Sequence, residues 1–205
     1  MRQKRLCFSS ALATVAIIAV LVLSQGSIVS GGTSAGATDQ ALLLAAKTGD
    51  FETVKALLAS DSSANAMEPD GTTALHWAAR ADAVDVVDIL LRSGASPGAA
   101  NRYGITALAL AAENGNVEII RSLLNFGANP NTSTSSGETV LMVAARTGRV
   151  EVLDELFAKG ALVDQTEHWR GQTALMWAAA ENHADAVARL VAAGANVEAR
   201  SSRGI

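Results

Sequence analysis

Cysteine is almost absent from this chain: Cys7 is the only one in 205 residues. One thiol cannot build a disulfide framework. Cys7 also precedes an apolar run, so a chain trimmed behind that run has no thiol nucleophile, and Cys7 is misplaced for lipid attachment. Histidine is scarce too, with only His76, His168 and His183. No two stand four apart on a helix and no cysteine accompanies them, so no metal site is expected. Basic residues are in deficit, 16 against 20 acidic, for a net charge of −4. An acidic chain without a basic stripe suits no nucleic-acid partner. Gly-x-Ser-x-Gly, Ser-x-x-Lys and a Gly-rich phosphate loop are all missing, so neither catalytic residues nor a cofactor are expected. The carboxylate pairs Asp82/Asp85 and Asp154/Glu155 fall where helices carry solvated charge. Acid–base work needs a desolvated pocket instead.

What the chain has is a period. Gly171-Gln172-Thr173-Ala174-Leu175-Met176-Trp177-Ala178-Ala179 occurs in altered form from Gly71, Gly104 and Gly137, glycines spaced 33, 33 and 34 apart. A period of this size marks a repeat array. Within each unit the glycine permits a positive φ, and the threonine two residues on suits a helix N-cap. Leu75, Leu108, Leu141 and Leu175 point inward, and the Ala-Ala pair admits a close neighbour. A second apolar run follows at helical spacing, as in Val86-Val87-Asp88-Ile89-Leu90-Leu91, and ends at Gly94, Gly127, Gly160 or Gly194, where a left-handed cap belongs. Each unit therefore reads as helix, turn, helix, cap and extended loop.

This resembles the ankyrin repeat, with its hallmark Gly-x-Thr-Pro-Leu-His-x-Ala-Ala and a second helix Val-Val-x-x-Leu-Leu-x-x-Gly-Ala. The resemblance covers about residues 38 to 205. It implies an all-α solenoid of stacked helix-turn-helix units with β-hairpin-like loops. About five repeats are expected, at 38–70, 71–103, 104–136, 137–170 and 171–203, with the start of another at Gly204. The family's proline is Ala74, Ala107, Val140 and Ala174 here, and its histidine survives only as His76, replaced by Ala109, Met142 and Met176. Loss of that hydrogen bond is expected to loosen the turns. Thr38 to Asp70 reads as a degenerate first repeat whose Lys47, Asp50, Glu52 and Lys55 form a solvated face, with Gln40 in place of the threonine. The loop Thr132–Ser136, without a large side chain, is expected to be a mobile tip.

The resemblance also implies a concave face built from first helices and loop tips, binding a protein partner. Carried onto this sequence, that face offers Trp77, Arg80, Arg102, Tyr103, Leu110, Arg146, Trp169, Arg170 and Trp177. Met67, Ile105, Glu113, Glu138, Val143 and Gln172 lie among them. All three tryptophans and the sole tyrosine fall in the set. Trp, Tyr and Arg dominate binding hot spots. The rival reading packs Trp77 and Trp177 between neighbouring first helices. His76 is read as tying its turn and His183 as structural, whereas His168 is read as solvated or touching a ligand.

Residues 1–37 differ. Arg2, Lys4 and Arg5 precede an apolar run from Ala11 to Leu23, and small residues lead to Ala35-Gly36-Ala37. That is the layout of a secretory signal with cleavage after Ala37, or earlier near Ser30. The expected destination is periplasmic or secreted. The alternative is an uncleaved anchor at residues 11–23, which would tether a structural scaffold to a membrane, although the run is short of the roughly 20 residues a span needs. Gly204-Ile205 look like the opening of another unit, so a longer array with a separate catalytic domain is a further alternative.

Overall fold

Threonine punctuation organises the structure. Thr73, Thr106, Thr139 and Thr173 each stand in extended backbone, and each side chain accepts a hydrogen bond from the amide three residues on. Each thereby starts a short helix by satisfying one of its free donors. The computed structural model describes residues 34–60 and 62–202. Among them are ten helices in five consecutive pairs: α1 (Ser34–Thr48) and α2 (Phe51–Ala59), α3 (Ala74–Arg80) and α4 (Val84–Arg92), α5 (Ala107–Asn114) and α6 (Val117–Asn125), α7 (Val140–Thr147) and α8 (Val150–Ala158), α9 (Ala174–Ala180) and α10 (Ala184–Ala192). α1 begins at Ser34, ahead of the expected array start at Thr38, and Gln40 lies inside it rather than at a cap. The apolar run at 11–23 lies outside the described residues. Among the described residues no helix is long and apolar enough to cross a membrane.

The first helices α1, α3, α5, α7 and α9 stack in one row, and the second helices stack in another. Ala46, Ala79, Ala112 and Ala145 are fully buried between neighbours in the first row. Small side chains there let backbones approach closely. Leu90, Leu123, Leu156 and Leu190 are fully buried from the second row, each contributing roughly 1.5–3 kcal/mol by leaving water. The turn inside each pair passes through a left-handed residue. Gly49, Gly115 and Gly148 fill that place in three pairs; Asp82 (φ 58°) and Asn182 (φ 60°) fill it in the others. Asp and Asn are the non-glycine residues that tolerate this conformation best.

The loops form an edge of their own. Isolated antiparallel bridges join Met67 to Thr73, Ala100 to Thr106 and Ser133 to Thr139, which closes each loop as a short hairpin. Each hairpin then hydrogen-bonds to the one before it. The amides of Arg102, Ser135, His168 and Ser202 donate to the carbonyls of Asp70, Tyr103, Ser136 and Arg170. The loop Thr132–Ser136 is therefore bonded on both sides, contrary to the reading of it as a mobile tip. It has no anchor side chain because it needs none: backbone amides hold it, and a Cβ on Gly104 would meet Ser133 O, Ser135 N and Thr134 Cα at 3.0 Å.

Candidate functional site

One position of the first helices runs the length of the array: Leu44, Trp77, Leu110, Val143 and Trp177, one per helix and apolar each time. Three residues further on stand Lys47, Arg80, Glu113, Arg146 and Ala180. Two of these, Lys47 and Arg146, reach over the tryptophan ring of the next repeat. Lys47 Nζ lies 4.2 Å from the centre of the Trp77 ring, and the Arg146 guanidinium 5.5 Å from that of Trp177. In the loop, Arg102 lies 5.0 Å from the Tyr103 ring. A cation over an aromatic face is worth about 0.5–1 kcal/mol when exposed. Lys47 is exposed, as a solvated face requires, and at the same time covers the Trp77 ring of the next repeat. Trp77 and Trp177 are half-buried beneath these cations, neither sealed nor free. Their indole N–H groups are buried and meet no acceptor.

The nine residues offered by the sequence divide into clusters. Trp77, Arg80 and Leu110 line one depression with His76 and Ile105. Arg146, Arg170 and Trp177 line another of about 250 Å³. Trp169, Arg170 and Trp177 share a third of about 290 Å³. Arg102 and Tyr103 lie on the exposed hairpin between the first two clusters, stacked on one another. Val143, of the same apolar row, is buried.

Two features, Leu44 and Glu167, went unread in the sequence. At the N-terminal end, Leu44 is 63% exposed beside Met67, 61% exposed and already offered by the sequence, and both face a depression of about 580 Å³ with Leu43, Lys47 and Pro69. Leu44 stands in register with Trp77, and counting back one period would have found it. The other feature is Glu167. This loop carries one residue more than the others, and Glu167 spans it. Its carboxylate accepts from the amides of Trp169, Arg170 (2.7 Å) and Gln172 (3.0 Å). The shorter Asn101 does the same for the amides of Tyr103 and Ile105 two loops earlier. Burial by itself raises the Glu167 carboxyl, but the amides of Gln172, Trp169 and Arg170 and the Arg170 charge outweigh it and hold the group below its ordinary value. The clamp holds out Trp169, 81% exposed and the most open large apolar side chain among those described.

Two of the three histidines, His76 and His183, reach across the joints between repeats. His76 Nδ1 accepts from Thr73 N (3.1 Å), and Nε2 donates to the Ile105 carbonyl (2.9 Å) in the next repeat. The Thr73 hydroxyl also lies 2.7 Å from Nδ1. Burial lowers the His76 pKa, opposed by the Ile105 carbonyl and Asp70. His183 Nε2 donates to the Arg146 carbonyl (2.9 Å), with its ring over Gly148. The His168 ring lies against Gly137. Where the family's histidine is lost, Met142 Sδ accepts from Thr139 N (3.4 Å), so that turn keeps a side-chain tie. Among the described residues no group of His, Cys, Asp and Glu is placed to hold a metal ion.

A family model described as ankyrin repeats (3 copies) matches residues 17–101, 42–134 and 108–201. The first match begins inside the apolar run at 11–23. No curated protein matches the chain.

Proposed function

The chain belongs to the ankyrin repeat family, and on that premise we propose that it is a non-enzymatic binding module, exported by residues 1–37, that captures a protein through its groove. Ankyrin repeats are generally modules for protein–protein interaction. The observation that carries the finer reading is the row Leu44, Trp77, Leu110, Val143, Trp177. Five apolar side chains recur at one place on the groove side, two of them indoles under cations. Aromatic anchors with arginine neighbours are the usual hot-spot chemistry.

The test is affinity capture with the full chain, followed by calorimetry with the captured partner. Trp77→Ala with Trp177→Ala is expected to weaken binding by about 2–4 kcal/mol in total. Unchanged affinity with helicity retained sinks the groove as the site. Export is tested separately by N-terminal sequencing of material recovered outside the cytoplasm. A start at Thr38 is expected; an intact N-terminus would favour the anchor at 11–23.

A further inference from the structure

We infer that the C-terminal stretch of the groove is a subsite for an acidic segment of a partner protein, a carboxylate side chain adjoining an apolar one. This rests on the groove reading above and narrows it. Two depressions adjoin there and share Arg170, Gln172 and Trp177. The first is lined by two arginines, Arg146 and Arg170, and one acid, Glu181, while the Arg170 charge also acts on Glu167. Among the described residues Arg170 makes no ion pair within 4 Å, and Arg146 reaches Glu138 only at 3.9 Å. Guanidinium groups bind carboxylates through paired donors, and here two arginines line one small recess.

The second depression is lined by Trp169 and Trp177, with Glu138 and Glu167 also on its wall. The Glu167 oxygens are taken up by three backbone amides, so this recess suits an apolar side chain rather than a cation. The same clamp fixes Trp169 before any partner arrives. An anchor already ordered loses less entropy on binding.

Charge elsewhere supports the class of partner. The chain is net −4, and exposed Asp85, Glu118 and Glu151 lie on the second helices, away from the groove. An acidic segment is repelled by that surface and attracted to the arginines, which sets where it docks.

The test selects random peptides displayed on phage against the full chain, then titrates the synthetic winners by calorimetry. The expected winners carry Asp or Glu beside an apolar residue. Their affinity is expected to fall about tenfold with Arg146→Gln, and again with Arg170→Gln, one charge-assisted hydrogen-bonded pair each time. Exchange of the peptide's acid for Gln should cost about as much on the unaltered chain, which frees the result from any folding defect in the variants. Winners without acids, no winners, or affinity indifferent to both arginines overturn the subsite. If such winners still weaken with Trp77→Ala and Trp177→Ala, the groove reading stands alone. If they ignore the tryptophans as well, both fall.

Discussion

Repeats four and five carry nearly the same first helix, Val140-Leu141-Met142-Val143-Ala144-Ala145 and Ala174-Leu175-Met176-Trp177-Ala178-Ala179, and hide it differently. Leu141, Met142 and Ala145 are buried, whereas Leu175 and Met176 are half-buried and Ala179 is exposed. On the second helices Leu153 is buried and Val187 half-buried. Sequence sets the local conformation, and the neighbour on each side sets the burial. Polar ties join the fifth repeat to the fourth: Arg189 to Asp154, His183 to the Arg146 carbonyl, and Asn196 N to Asp164. The candidate subsite sits at this joint.

The largest expected effect tests that contrast directly. Leu141→Ala leaves a cavity closed on both sides and should lower the unfolding free energy by about 3–4 kcal/mol. Leu175→Ala deletes the same atoms beside water and should cost roughly half as much. Denaturant midpoints of the two variants give the answer. Equal losses would mean that both repeats are packed alike and would break the comparison.

The next effect concerns what ties one repeat to the next. His76→Met copies the natural Met142 but forfeits the bond to Ile105, at a cost of about 1–2 kcal/mol. It should also flatten the dependence of stability on pH. The folded His76 has a pKa below its ordinary 6.5, so the unfolded chain binds more protons as pH falls past that value. Stability from this group is therefore complete above about pH 6.5 and is lost as pH drops toward the folded value. Thermal midpoints between neutral and mildly acid pH should slope in the parent and lie flatter in His76→Met.

Glu167→Ala removes the clamp at the joint between the fourth and fifth repeats. The loss is expected to be about 1–2 kcal/mol, as for other side chains that satisfy backbone amides. The sharper readout is Trp169, whose fluorescence anisotropy should fall as the loop is released. Glu167→Gln keeps one acceptor and should fall between. Anisotropy unmoved by either change would mean that the hairpin bonds to Ser136 and Ser202 suffice to hold the tip.

The helix pairs, their threonine caps and the buried leucines were legible because each repeats four times at fixed spacing. His76 was legible for the same reason: its place in the unit already implies a turn to bond. Lys47 was not, since its ring partner Trp77 lies in the next unit, and only stacking brings position 47 over position 77. Glu167 was hidden for the opposite reason. It occurs once, in the only loop with an extra residue, and nothing periodic marks it. The polar tip Thr132–Ser136 misled because its bonds to the neighbouring hairpins run through backbone amides, which composition does not record, while Thr134 accepts from the Glu138 amide.

The smallest expected effect is the most informative about the two indoles. Trp77 and Trp177 each bury an N–H that meets no acceptor. A buried unpaired donor costs about 1–3 kcal/mol, while the indole's second ring contributes area of comparable worth. Trp→Phe removes both, so the two terms oppose and the net change should stay within about 1 kcal/mol at either site. The comparison between repeats still shows in the sign. At Trp77, with a repeat packed on each side, the smaller ring leaves a void, and the change should lean toward loss. At Trp177, whose neighbours Leu175 and Met176 are half-buried, the surroundings can close in, and the change should lean toward gain. A loss of several kcal/mol at Trp177 would mean that its N–H finds water or another acceptor in solution.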